Sequence, residues 1–358
     1  MDENRNVNKN VKKIKWLKIV LSLIIVIGVL YLLQRLLIPK YVSGVVEGAF
    51  VAEYYQEENK DYDVIFVGDC EVYENFSPIT LWNEYGVNSY IRGTAEQYIW
   101  QSYYMLEDTL RYSTPDVVIF NIQSLQFNES NSEAYNRMTL EGMEWSPSKV
   151  NAIKASMKED EKFLDYVFPI LRYHTRWSEL TANDFKYMFS SKKVSHNGYY
   201  MRVDVKPAEN VPGGRILSDY SFGDNAWKYL DMMTALCAEK DIELLLIKAP
   251  SLYPYWYDEW EVQIEEYAAK NNLRYINFLE LQEETGIDYS TDTYDAGLHM
   301  NLSGAEKLSR YLGKILTEEM GVKDRRNEEE WNAIWQDKIA FYEQEKQAQY
   351  EYYGINAE

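Results

Sequence analysis

The 358-residue chain carries a formal net charge of −20, unevenly placed. Residues 1–40 hold eight of the 37 basic and two of the 57 acidic residues, giving +6 there and −26 in the remainder. An acidic body repels phosphates, which argues against nucleic acid as a partner. Two cysteines and three histidines argue against a disulfide scaffold and against a Cys- or His-rich metal site, so neither metal nor cofactor is expected.

Residues 1–15 form a basic tail. Residues 16–38 are apolar, and from Trp16 to Leu33 Lys18 is the only charge. A run of that length can cross a bilayer as a helix. A cleaved signal peptide is the alternative, but the apolar run is long and no small-x-small cleavage site follows closely. Arg5, Lys9, Lys12, Lys13, Lys15 and Lys18 precede or open the run, so the positive-inside rule leaves the N-terminus in the cytoplasm and the rest of the chain outside. Residues 39–60 read as a helical or loose connector.

The globular part starts near Asp61. Val64–Val67 is a short apolar run ending at Gly68 and reads as a buried parallel strand. A short helix and a second strand around Asn88–Ile91, ending at Gly93, follow. Ala95–Tyr112 has helical apolar spacing until Pro115 breaks it, and Val117–Phe120 is a third strand, ending at Asn121. Residues 61–125 therefore read as the first half of a doubly wound sheet. From 126 to about 215 the rhythm is lost. Helical pieces around Ser148–Met157, Glu161–Tyr173 and Ala182–Phe189 suggest an insertion, a lid over the sheet edge being one role for it.

Alternation returns with helix Asp224–Lys240, strand Ile242–Ile247, helix Trp256–Asn271 and strand Leu273–Asn277. Ser303 is placed to cap a helix running to about Met320. The fold class is thus α/β: a three-layer α/β/α sandwich over residues 61–320, built on a five-stranded parallel sheet. Residues 321–358 add an amphipathic helix, with Trp331, Ile334, Trp335, Lys338 and Tyr342 at three- and four-residue steps.

Chemistry concentrates at the ends of strands. Cys70 follows the first strand and supplies a thiol nucleophile. His299, in the late loop Asp295–His299, is the candidate base, with Asp295 or alternatively Asp292 to orient it. The Cys70 backbone, Gly93 and Asn121 are candidate oxyanion donors. Lys248 and the aromatic residues Tyr255 and Trp256 follow the fourth strand and are candidate substrate contacts; sugar rings stack on such side chains. Cys237 reads as a core thiol, and His174 and His196 as structural.

Gly68-Asp69-Cys70, Gly93, Asn121 and the Asp295–His299 loop together resemble the four blocks of the SGNH (GDSL-type) hydrolase superfamily. The segment from His299 to Gly313 resembles its membrane-anchored bacterial members, which include the lipoteichoic-acid D-alanylation protein and the alginate and peptidoglycan O-acetylation factors. The resemblance covers roughly residues 61–125 and 220–320. It implies a flavodoxin-like fold and acyl-ester hydrolysis or transfer on a cell-envelope glycan or other acylated polymer, with a membrane-bound O-acyltransferase as donor partner. Three departures stand out. Cys70 occupies the position of the family's serine, Asp295 lies four residues before His299 where the family spacing would put an acid at Ala296, and Phe120 directly precedes Asn121 where the family has Gly-x-Asn. A Cys in that position reads either as a thioester-forming nucleophile or as the mark of a binding domain that no longer turns over.

Overall fold

The computed structural model describes residues 2–40, 47–190 and 192–355. Within the expected connector, residues 41–46 lie outside the described ones. Five strands form one parallel sheet: β1 Val64–Gly68, β2 Ser89–Gly93, β3 Val117–Asn121, β4 Glu243–Lys248 and β5 Arg274–Asn277. Their order is β2-β1-β3-β4-β5, that of a flavodoxin-like doubly wound sheet. β1, β2 and β3 are buried along their whole length because helices cover both faces, which is why β1 and β3 read as continuous apolar runs.

Short helices α3 (Cys70–Asn75) and α4 (Pro78–Tyr85) join β1 to β2. α5 (Ile99–Thr109) joins β2 to β3 and is shorter than the Ala95–Tyr112 pattern suggested, because Tyr98 caps its start. Helices α11 (Asp224–Glu239) and α12 (Asp258–Asn271) flank β4. α5 packs against α11, and Trp227 of α11 stacks on Tyr267 of α12, so these three form one outer layer. After β5 come α13 (Gln282–Thr285) and α14 (Leu302–Lys314). α14 packs on α4, as does the last helix, α15 (Glu329–Tyr353), forming the other layer. Trp82 of α4 stacks flat on Trp335 of α15 at 4.9 Å, and Trp331, Trp335, Lys338 and Tyr342 are all buried. The helix α14 is capped by Asn301, whose side chain accepts from Gly304 N at 3.2 Å, and not by Ser303. Asn301 wins because it is the last residue with extended backbone before the helix.

The insertion contains α6 (Glu133–Glu141), α7 (Pro147–Ser156), α8 (Phe163–Val167), α9 (Ile170–Tyr173) and α10 (Ala182–Lys186). These helices sit beside the N-terminal α1 (Asp2–Leu37), the buried α2 (Glu47–Tyr54) and α5, not over the strand ends. Its last stretch also approaches the carboxyl edge of the sheet. There Tyr200 N donates to Tyr73 O at 2.8 Å, and Lys206 N donates to Thr293 O at 2.9 Å.

One N-terminal helix, Lys12–Leu37, is long and apolar enough to span a bilayer. Its large apolar side chains from Ile14 to Leu33 are exposed, with no layer of the described residues covering them.

Two glycines bring α3 close to the sheet. Gly68 has φ +154°, and a Cβ there would lie 3.1 Å from Asn121 Cβ and Val72 Cγ1. A Cβ on Gly93 would lie 2.7 Å from Val72 Cγ2 and 3.2 Å from the Asp69 carbonyl oxygen. Gly93→Ala should therefore push α3 off the sheet and cost about 1–3 kcal/mol of stability. Denaturant unfolding measures this, and an unchanged midpoint would show that α3 yields without strain.

Candidate active site

Strand β1 ends at Gly68, and Asp69 takes extended backbone geometry and caps α3, its side chain accepting from Glu71 N at 3.2 Å. Cys70 is thereby the first residue of a helix at the carboxyl edge of the sheet. Glu74 stands one turn further on the same face.

The late loop reaches this point from the opposite end of the chain. Ala296 and Gly297 turn it with φ of +70° and +98°. Thr293 Oγ1 fixes the turn by donating to His299 O and accepting from Gly297 N, both at 2.8 Å. Asn75 of α3 ties the loop down, its Oδ1 accepting from Met300 N at 2.8 Å. The segment after β4 adds a Tyr253 hydroxyl that donates to Asp295 O at 2.6 Å.

Asp295 grips His299 twice. Its Oδ1 accepts from the His299 backbone N–H at 2.8 Å, and its Oδ2 lies 2.6 Å from Nδ1. Asp292 is occupied elsewhere: its Oδ2 pairs with Lys307 Nζ at 2.6 Å and accepts from Asp288 N at 2.8 Å. The partner of His299 is therefore Asp295. If the imidazole acts as a base, Asp295→Asn should lower activity about 10³-fold or more by unsettling the tautomer. Asp292→Asn should cost stability and leave the residual rate near wild type. Steady-state rates of the two variants against an activated ester make the comparison; equal losses would dissociate Asp295 from the base.

The thiol lies near the ring. His299 Nε2 is buried and has no aligned hydrogen-bond partner, yet the Cys70 thiol is near enough to couple to the imidazole by charge and by hydrogen bonding. Burial alone would lower the pKa of His299. The Glu74 carboxylate, then Cys70 and the Asp295 hydrogen bond, overcome it and hold the imidazolium well above the ordinary histidine range. Glu74 Oε2 is 3.6 Å from Nδ1 and accepts from the Tyr294 hydroxyl, and the Tyr294 ring stacks on the imidazole at 6.1 Å. Cys70 keeps some solvent exposure, but the packing around it pushes its thiol up to about 12, opposed by His299 and reinforced by the Asp69 and Glu74 charges.

Behind the thiol lies a buried polar network. Asn121 stands at the end of β3, as expected, but both its amide N–H groups are committed: Nδ2 donates to Asp69 Oδ1 at 3.0 Å and to Glu71 Oε2 at 2.9 Å. Its Oδ1 accepts from Ala249 N at 3.0 Å. In this arrangement Asn121 braces the ends of β1, β3 and β4 and has no donor left for an oxyanion. Lys248 likewise does not face substrate: it is wholly buried, 3.0 Å from Glu71 Oε2, and donates to Ala249 O at 2.7 Å. Burial, with the Glu71 charge next, pushes Asp69 up to about 7; Asn121 and Lys248 oppose the rise. Trp256 is only 8 % exposed and its indole N–H donates to Glu261 at 2.6 Å, so it belongs to the core, whereas Tyr255 is 44 % exposed.

Several residues here were not singled out from sequence. Glu71 and Glu74 look like ordinary surface acids until the helix register is known; the four-residue step from Cys70 to Glu74 was the available signal. Gln123 and Ser251, after β3 and β4, are buried with side-chain polar atoms that have no partner among the described residues. These are groups a ligand at this edge can satisfy.

A GDSL-like lipase from Bacteroides thetaiotaomicron is similar in structure. It is 12 % identical, the match covers 76 % of this chain and 98 % of that one, and the TM-score is 0.34. No protein-family model and no curated protein matches the chain. The chemistry therefore rests on this chain's own residues. A thiol, an imidazole held by a carboxylate, and backbone amides near a glycine strand end are the parts needed to move an acyl group through a thioester. Among the described residues no cluster of His, Cys, Asp and Glu is arranged to hold a metal ion.

Proposed function

We propose that this protein is a membrane-anchored, extracytoplasmic acyl-transfer protein of SGNH type, which adds or removes acyl groups on a cell-envelope polysaccharide through Cys70. The observation that carries this reading is the Asp295–His299 pair, with the Cys70 thiol at the end of β1 near enough to couple to the imidazole. The Cys70 sulfur attacks the acyl carbonyl carbon while its proton passes to His299 Nε2. The C–O bond of the ester breaks, the leaving oxygen takes that proton, and a thioester remains on Cys70. In the second half His299 removes a proton from water or an acceptor hydroxyl, which attacks the thioester and restores the thiol. Asp295 holds Nδ1–H throughout. The amides of Cys70 and Gly93 are the proposed oxyanion donors; Asn121 joins them only by releasing Asp69 or Glu71. The envelope acceptor and a membrane-bound O-acyltransferase as donor follow from the family resemblance. The exposed Tyr255 is a candidate sugar platform. The anchor is α1, with its basic end in the cytoplasm.

The direct test uses the full chain in a neutral detergent, incubated with an activated acetyl ester and examined by intact and peptide mass spectrometry. One acetyl group on the Cys70 peptide is expected. Hydrolysis with no acetylated Cys70, including after rapid acid quench, would remove the thioester from the mechanism.

A second reading has its own support. The high thiol pKa and the committed Asn121 amide suit a domain of the same fold that binds an acylated polymer without turnover. Retention of the polymer by a Cys70→Ala variant, with no acetyl capture by the wild type, would favour it.

A further inference from the structure

The helical insertion has a feature the active site does not use. Between the foot of α1, helix α2 and the α6–α7 region lies a cavity of about 560 Å³. Lys149 lines it and is only 6 % exposed. Its ammonium donates to Met143 O at 2.7 Å and sits 4.7 Å from the Trp145 ring centre, but it makes no salt bridge among the described residues. A buried ammonium without a carboxylate is costly unless something anionic reaches it. Burial, opposed by Glu141 and Asp108, brings its pKa down to about 8. Arg35 and Lys40 line the same cavity from the end of α1; neither forms a salt bridge there among the described residues, and the Lys40 ammonium donates to the carbonyl oxygens of Arg35, Leu36 and Ile38. Two carboxylates also line it. Glu141 is engaged by Arg137 at 3.1 Å, and Glu144 accepts from the Tyr112 hydroxyl at 3.4 Å.

The apolar run of α1 ends at Leu37, so the cavity sits at the level where a crossing helix leaves the bilayer. The insertion is fastened to that point: Arg176 donates to Leu37 O at 2.8 Å, and Arg35 donates to Met188 O at 2.9 Å. Around the junction the insertion exposes Leu164, Phe168, Leu171, Trp177, Phe185 and Phe189, each more than half exposed. Large apolar and aromatic side chains beside a membrane-crossing helix suit the bilayer interface better than water.

We propose that the insertion is a membrane-seated element and that the cavity receives the phosphodiester headgroup of an anionic phospholipid, with Lys149 as its principal cation and Lys40 as a second. The headgroup supplies the missing counter-charge, and its acyl chains run along α1 beside the exposed apolar shelf. The insertion then fixes the height and tilt of the catalytic edge above the membrane. This inference rests on the proposed reading of α1 as a membrane span.

The test uses the full chain in a neutral detergent. Short-chain phosphatidylglycerol, short-chain phosphatidylcholine and inorganic phosphate are titrated separately, with bound copies counted by native mass spectrometry and the melting midpoint recorded. One copy of phosphatidylglycerol should be retained and raise the midpoint. Lys149→Gln should weaken retention about fivefold or more, and Lys149→Arg should restore it. Lys40→Gln should weaken it too, and serves if Lys149→Gln does not fold. Val262→Ser, on α12 and away from the insertion, should retain the lipid. Equal retention of both lipids, no effect of removing either lysine, or equal stabilisation by inorganic phosphate would overturn the proposal. Carbonate washing of native membranes separates the two levels: release of the wild type defeats the anchor, whereas retention without specific lipid binding defeats only this inference.

Discussion

Replacing Cys70 by alanine is expected to lower hydrolysis of an activated ester by about 10³-fold or more, and His299→Ala to do the same, with the double variant little worse than either. The reason is that thiol and imidazole act as one unit. With the thiol pushed up to about 12, the free thiolate is scarce near neutrality, so attack depends on handing the proton to Nε2. Without the imidazole the thiol stays protonated; without the thiol the imidazole has nothing to activate. Additive losses in the double variant would mean that the two residues serve separate steps. Wild-type activity surviving Cys70→Ala would remove the thiol from the reaction.

The same pair sets the pH dependence. Glu74 and Asp295 favour the imidazolium, and an imidazolium cannot accept the thiol proton. The rate should therefore rise with pH through a pKa above the ordinary histidine range. Glu74→Gln removes the strongest of the groups favouring the charged ring and should move this limb to lower pH, raising the rate near neutrality. Stability moves the other way. Because the folded pKa of His299 is raised, its contribution is fully present below the unfolded value of about 6.5 and is lost as pH rises through the folded pKa. A profile of kcat/KM for wild type and Glu74→Gln tests this; coincident limbs would show that Glu74 does not act on the ring.

The parts of this site legible in the sequence are those fixed by local rules. β1 and β3 announce themselves as short β-branched and aromatic runs, because a parallel strand is buried on both faces. Gly68-Asp69-Cys70 stands at the end of such an element, and the Asp295–His299 loop just before α14, where functional side chains gather. Other parts depend on pairings between distant segments. Asp292 stands as an alternative to Asp295 as the partner of His299 until the loop is seen to turn at Ala296 and Gly297 and Lys307 of α14 to take Asp292. The donors of Asn121 look free until Asp69 and Glu71, 52 and 50 residues away, are brought against them. Lys248 reads as a charge at the edge because nothing near it in sequence marks Glu71, 177 residues earlier, as its counter-ion. The insertion shows the same limit. Its helices can be read as periodic pieces, but their seat at the foot of α1 follows from contacts such as Arg176 to Leu37 across 139 residues.

The Glu71–Lys248 pair should dominate the stability of the catalytic edge. Both side chains are buried, at 1 % and 0 % exposure. An ammonium and a carboxylate at 3.0 Å, each with further hydrogen bonds to Ala249 O and Asn121, offset one another's lost hydration. Lys248→Met leaves the Glu71 charge with only the Asn121 amide, and should cost about 3–5 kcal/mol. It also removes one of the groups that restrain Asp69, whose pKa should climb further above about 7. The cap of α3 then loses its charge near neutrality, and the helix that carries Cys70 loosens with it. Adding Glu71→Gln changes the sign of the second step. The uncharged amide still accepts from Asn121, the repulsion on Asp69 disappears, and most of the stability should return. A double-mutant cycle by denaturant unfolding should thus show strong coupling between positions 71 and 248. Additive costs would mean that solvent or a rearranged neighbour compensates Glu71 when Lys248 is removed, and that the network is not what holds the thiol in place.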